Sequence, residues 1–393
     1  MGNGGQPRGR QDQRGQRGQR GTRQQNRRVA GPHARPADIT GNDRQPPQPP
    51  PPTGRGPDYT RRTLPTVIPV KRTALAAEGR ITDWKLRQDF TAVARGVVVP
   101  TPDDHDPSAH GGFGFDGVTR ARANHINHPD AVIGGWRAAD MHGLRPDWGD
   151  SAPVLLLAGQ RRSGSLISTS AAQTPLRPVF RPLPPDLETC TPCLLFPDMK
   201  VAAPPVAAVQ CLWTILHGRH TWWCHDVPDL AGNEVCAVQF LDAFAQCTWV
   251  TRDEIRSAAH GVLPRKSLTR LLGLADDGAQ SPMETVMRLI VRDLLPEPYR
   301  WQSQIRVDLL PDSTRRWTPR TLPDLGCPEL KIALYYDGGH HNEGMQTEVD
   351  FNQFHALRDL GWEVIRFNKS HLRCPGDMRD LVVKAIMRAL RNR

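Results

Sequence analysis

The sequence predicts an α/β fold, and three observations carry that expectation. Near the C-terminus, Lys331 to Asp337 alternates with period two, placing Lys331, Ala333, Tyr335 and Asp337 on one face and Ile332, Leu334 and Tyr336 on the other. The run ends in Gly338, Gly339, His340 and His341, the pattern of a buried strand that delivers polar groups to its end before a sharp glycine exit. Ahead of it, Ser281-Pro282-Met283-Glu284 has the form of a capping box with proline at the first helical position, backed by an apolar stripe of Val286, Met287, Ile290, Val291 and Leu294. Behind it, Phe351, Phe354, Leu357 and Leu360 predict a helix, Trp362 to Phe367 a strand, and Met378, Leu381, Val382, Ala385, Ile386 and Ala389 a last amphipathic helix. Helices alternating with strands in this way build a layered α/β core.

From the N-terminus, the chain reads first as a tail and then as folded units. Its 393 residues suffice for two or three domains. The formal charge of +10 is unevenly placed: residues 1–62 hold 13 arginines, no lysine and four aspartates, which leaves the remainder close to neutral. Residues 1–63 combine arginine spaced by glycine and glutamine with the run Pro46-Pro47-Gln48-Pro49-Pro50-Pro51-Pro52, and they carry too few apolar side chains to offset the entropy of ordering. The expectation is a disordered basic tail, suited either to loose phosphate attraction or simply to solubility. No apolar stretch approaches the roughly 20 residues of a membrane span, so the expected location is cytoplasmic, with no membrane partner.

Residues 64–105 predict two short helices and a strand pair. Lys71 to Glu78 forms helix readily and Gly79 stops it; Thr82 caps a second helix through Asp83-Trp84-Lys85-Leu86-Arg87; Val93 to Val99 reads as a strand or hairpin wing. That order is a helix-turn-helix with a wing, in which Lys85, Arg87 and Arg95 would face DNA. The same three residues also suit a solvated surface. Residues 106–280 predict a mixed α/β region: a buried helix over 131–143, a buried strand over 154–157, and a helix, turn and capped helix over 238–255. Trp213, Trp222 and Trp223 are read as core. Cys190, Cys193, Cys211, Cys224, His217, His220 and His225 make a zinc site conceivable. Zinc ribbons need a second closely spaced pair, however, and the eight cysteines fit reduced thiols in a reducing compartment.

Residues 281–393 carry the chemistry. Asp324 sits just before a strand whose end supplies Asp337, His340 and His341, an oxygen and imidazole set suited to a hard divalent cation at a phosphodiester. This segment resembles the metal-binding core of the PD-(D/E)xK nuclease superfamily, specifically the bacterial domain related to very-short-patch-repair endonucleases. Asp324, Tyr336, Asp337, Gly338, His340 and His341 fall in register, followed by Asp350, Leu357 to Trp362, and Val364-Ile365-Arg366. The N-terminal helices and wing resemble the winged-helix domain of AbiEi-type antitoxins of type IV toxin–antitoxin systems. These resemblances imply a restriction-endonuclease-like domain at residues 281–393, with Mg²⁺ or Mn²⁺ as cofactor, DNA as partner, and a cognate toxin as a further partner. Asp324 and Asp337 would bind metal, His340 or His341 would complete the shell or position water, and Glu284 would sit close by. Two departures stand out: Tyr335 replaces the family's second metal-binding glutamate, and Gln353 stands where the family often has arginine. A phenol is neutral near pH 7 and replaces an anionic ligand poorly. Two functions therefore remain, a metal-dependent DNA endonuclease and a DNA-binding, antitoxin-like regulator on an inactive nuclease fold.

Overall fold

In the computed structural model of the chain, residues 61–77, 79, 81–159, 176–309, 320–337 and 344–392 are described. The basic tail up to residue 60, together with Gly338, Gly339, His340 and His341, lies outside the described residues. The architecture is mixed α/β, with several separate sheets.

The first unit contains β1 (Val70–Lys71), α1 (Arg72–Ala77), α2 (Asp83–Asp89), β2 (Phe90–Ala94) and β3 (Val97–Pro100), with the antiparallel strand order β1-β3-β2. The first helix begins one residue later than expected because Val70 and Lys71 pair with Val98 and Val97, a use of β-branched valine that extended backbone favours. Thr82 caps α2, its hydroxyl accepting from the Lys85 amide at 3.3 Å. The β2–β3 hairpin turns at Arg95-Gly96, where Gly96 has φ +69°. Val93, Val97 and Val99 bury one hairpin face against Phe115 and Ala123. A short turn, α3 (Ala109–Gly112), leads to α4 (Gly117–Asn127), capped by Asp116, whose Oδ1 accepts from the Val118 and Thr119 amides at 2.8 and 3.1 Å.

The middle region opens with β4 (Val132–Gly134), α5 (Gly135–Met141) and α6 (Pro146–Gly149). The helix expected over 131–143 is therefore half strand. Val132 and Ile133 pair with Leu157 and Leu156, and helix starts only after Gly135 takes φ +56°. With β5 (Leu155–Ala158), β6 (Val179–Pro182), β7 (Thr189–Cys190) and β8 (Val201–Ala202), β4 completes a five-stranded mixed sheet of order β6-β5-β4-β8-β7. Four helices follow: α7 (Pro204–Leu216), α8 (Gly232–Thr248), α9 (Arg252–Ala258) and α10 (Arg265–Leu274). Thr251 and Glu254 close a reciprocal capping box on α9. Of the three tryptophans expected in the core, Trp222 is buried, whereas Trp213 and Trp223 are exposed, Trp213 stacking on His217.

The last region comprises α11 (Pro282–Val291), β9 (Gln302–Ser303), β10 (Val307–Asp308), β11 (Arg320–Thr321), β12 (Leu325–Cys327), β13 (Ile332–Asp337), α12 (Gly344–Asp359), β14 (Glu363–Asn368) and α13 (Pro375–Arg391). Its four-stranded sheet runs β14-β13-β12-β9, with β13 and β14 parallel across the α12 crossover and the other pairs antiparallel. The two faces of β13 are as the alternation predicts. Ile332, Leu334 and Tyr336 join the main core, while Tyr335 packs with Phe354, Leu357, Trp362 and Val364. Met378, Val382, Ala385 and Ile386 of α13 are buried, but Leu381, at the flank of that stripe, is exposed. One continuous core runs from Val118 to Ala389, so the middle and last regions share their interior. A polar link crosses between them: Asp242 of α8 accepts from Thr285 Oγ1 and Arg288 Nη2 of α11, both at 2.8 Å.

Candidate functional site

The site is built where α11, the break between β9 and β10, and the start of β12 converge. Ser281 caps α11 through Oγ, which accepts from the Glu284 amide at 3.2 Å. The reciprocal half of the predicted capping box is missing. Glu284 instead turns Oε2 to the Gln280 amide at 3.0 Å and to Gln304 Nε2 at 2.8 Å. Its carboxylate therefore links the cap of α11, through Ser281 and the Gln280 amide, to Gln304.

Gln304 is the residue that the sequence did not mark. Between Gln302 and Asp308 the chain forms two short strands and not one, and in the break Gln304 sits at φ +53°, a left-handed conformation uncommon for a side chain of this kind. Its amide donates to the Asp324 carbonyl at 3.1 Å, which fixes its backbone beside β12. From there Nε2 reaches Glu284 at 2.8 Å and Asp324 Oδ1 at a longer 3.4 Å. The second oxygen of Asp324 accepts from the Tyr336 amide at 2.7 Å, so the carboxylate is oriented by the strand that follows. Burial first, and the neighbouring Asp324 charge second, push the Glu284 carboxyl well above its usual range. Two carboxylates around one amide nitrogen are unfavourable as neighbours and suit a shared proton or a cation.

The other predicted residues lie elsewhere. Asp337, at the end of β13, forms an ion pair with Arg366 of β14 at 2.9 Å. Tyr335 shares a strand face with Asp337, its hydroxyl 2.9 Å from Thr321 Oγ1 and its ring edge-on to Phe354. Thr321 Oγ1 also reaches Gln353 Oε1 at 3.3 Å. The two departures from the family pattern, Tyr335 and Gln353, are therefore neighbours in one neutral polar cluster. Asp308 is exposed and paired with Arg306 at 2.9 Å. His340 and His341 lie outside the described residues. Among the described residues, no group of three or more histidine, cysteine, aspartate or glutamate side chains is arranged to hold a metal ion. The conceivable zinc ligands are dispersed: Cys190 lies beside His142, Cys193 accepts from Arg122 Nε, His220 reaches the Trp148 carbonyl, and Cys224 reaches the Gly232 carbonyl.

Lys85 and Arg87 are exposed on α2, beside Trp84, which is 67% exposed. Arg95 is exposed at the hairpin tip, and its carbonyl accepts from Asn127 Nδ2 at 2.9 Å. Among the described residues, no helix is long and apolar enough to cross a membrane. Comparison with protein-family models, with curated proteins and with solved structures found no match.

Proposed function

We propose that this chain is a DNA-binding protein whose residues 281–393 form an endonuclease-like domain with a divalent-cation site at Asp324 and Glu284. The observation that carries the proposal is the Glu284–Gln304–Asp324 constellation. A left-handed glutamine holds two carboxylates within a few ångströms of each other at the head of a strand. Strain and like-charge pairing of this kind are costly to the fold and concentrate at functional sites. The helix, strands, helix, strand and helix of residues 281–393 support the same reading, since they follow the order of a nuclease core.

The donor set fits Mg²⁺ or Mn²⁺ in chemistry, because both side chains offer hard carboxylate oxygens and a cation would relieve their repulsion. Such an ion supplies Lewis-acid activation of a phosphodiester. The chain's own groups do the positioning. The Tyr336 amide fixes one oxygen of Asp324, the Gln304 amide group spaces the two carboxylates, and the Gln280 amide holds Glu284 toward the site. Lys85, Arg87 and Arg95 would contact the DNA backbone from the winged unit.

A second reading has its own observation. Tyr335 and Gln353 share a neutral cluster with Thr321, and Asp337 is held by Arg366, so the acidic strand position of an active nuclease is absent and its neighbour is engaged. This favours a domain that binds DNA without cutting it, as an antitoxin-like regulator with a toxin partner. Incubating the full chain with supercoiled and mismatch-bearing DNA in Mg²⁺ or Mn²⁺, beside Asp324→Ala, separates the two. Metal-dependent nicking lost in the variant supports the nuclease. Retarded but intact DNA supports the regulator, and the absence of both nicking and binding refutes both.

A further inference from the structure

Cys224 lies in the segment between α7 and α8, and Cys236 lies early in α8. A Cβ on Gly232, at the start of α8, would lie 3.7 Å from Cys224 Sγ, so that thiol sits against the first turn of the helix that carries Cys236. Each is also anchored on the other's segment. Cys236 Sγ donates to the Trp222 carbonyl at 3.3 Å, two residues before Cys224, and Cys224 Sγ donates to the Gly232 carbonyl at 3.5 Å, at the start of the helix that carries Cys236. These two crossed hydrogen bonds hold each cysteine side chain against the segment that carries the other. Access is unequal: Cys236 is fully buried, whereas Cys224 is half-buried. The contact with Cys236 lowers the Cys224 thiol below its ordinary range, and the same contact together with burial pushes the Cys236 thiol up, so Cys224 is the thiolate that attacks first.

We propose that Cys224 and Cys236 form a reversible disulfide through exchange with a low-molecular-weight disulfide. The Cys224 thiolate attacks one sulfur of the small disulfide, forming a mixed disulfide and expelling one small thiolate, which takes up the proton that Cys224 gave up. Cys236 then loses its proton and attacks Cys224 Sγ, forming the intramolecular bond and expelling the second thiol. The protein loses two electrons and two protons, and the small disulfide gains them. Only Cys224 must be reachable from outside, which matches the unequal burial. The staple closes a loop whose carbonyls are already in use: Arg292 at the end of α11 donates to Pro228 at 2.8 Å, and Arg270 of α10 donates to Asp229 at 2.7 Å. Oxidation therefore stiffens the seat of α10 and α11.

The test uses the full chain carrying Cys374→Ser, which removes an exposed thiol. The protein is incubated with oxidised glutathione, blocked with iodoacetamide and digested with a protease that cuts after aspartate and glutamate, at Asp229 and Glu234 between the two cysteines. The expected result is two peptides joined through Cys224 and Cys236 and separated by dithiothreitol, with the melting temperature of the oxidised protein higher by on the order of 5 °C. Cys224→Ser should give no joined peptides, and Cys236→Ala should stop at a glutathione adduct on Cys224. A stable glutathione adduct on Cys224 with Cys236 still present, or a Cys224 that is only alkylated, would overturn the proposal. That readout needs neither of the two cysteine variants to fold.

Discussion

Replacing Glu284 with glutamine should make the protein more stable at neutral pH. Glutamine keeps the shape, and its carbonyl can accept from the Gln280 amide and from Gln304 Nε2 as Glu284 Oε2 does. What it removes is the ionisable group, whose pKa burial and Asp324 raise in the folded protein. A carboxyl with a raised folded-state pKa binds more protons folded than unfolded. Its contribution is therefore fully favourable below the unfolded value of about 4.5, and it is lost as pH rises through the window up to the folded value. The loss cannot exceed about 1.4 kcal/mol per pH unit, or roughly 4 kcal/mol between pH 4.5 and 7.5. Glu284 keeps some solvent exposure, which lowers the expected gain to about 1–3 kcal/mol. The geometry gives a similar scale. The two carboxylate oxygens lie 2.8 and 3.4 Å from one nitrogen and so stand no more than about 6 Å apart, where like charges repel by about 3 kcal/mol at an effective dielectric near 20. Urea unfolding of wild type and Glu284→Gln at pH 4.5, 6 and 7.5 measures the difference. The gap should be smallest at pH 4.5 and widen with pH; parallel profiles, or a glutamine variant that is weaker at pH 7.5, would refute the coupling.

Gly117→Ala should cost at least about 3 kcal/mol in thermal or urea unfolding, because a Cβ there would overlap the fully buried Arg137 guanidinium and Asp140 carboxylate, and displacing one leaves a buried charge without its partner. Lys85→Ala combined with Arg87→Ala should weaken DNA retention in a gel shift while changing stability by no more than about 0.5 kcal/mol, since both side chains are exposed; equal loss of binding and stability would assign them a packing role. Tyr335→Glu places a carboxylate against Phe354 and breaks the bond to Thr321, so it should destabilise the fold by about 1–3 kcal/mol without metal, and titration with Mn²⁺ should recover part of that loss only if a cation reaches the strand.

Much of the architecture was legible in the chain because it depends on local pattern. Thr82 as an N-cap, Ser281-Pro282 at the start of α11, the two faces of β13 and the α12–β14 crossover follow from capping chemistry and from periods of 3.6 and 2, which neighbours in sequence impose on themselves. Whereas Glu284 was marked only by the resemblance, Asp324 could be singled out for the same reason, as an acidic residue just before a strand. Their companionship could not. It depends on Gln304, whose positive φ and carboxamide reach are set by the break between β9 and β10 and by the Asp324 carbonyl, none of which has a sequence signature. Pairing of Lys71 with β3 and of Val132 with β5 likewise turned expected helix into strand, because a partner strand distant in sequence outweighs weak helix propensity. The sequence by itself determined the capped helix starts, the two faces of β13 and the α/β order of the last region; the tertiary structure alone decided that Glu284 meets Asp324 while Asp337 is held by Arg366, because such meetings depend on long-range packing that local periodicity does not encode.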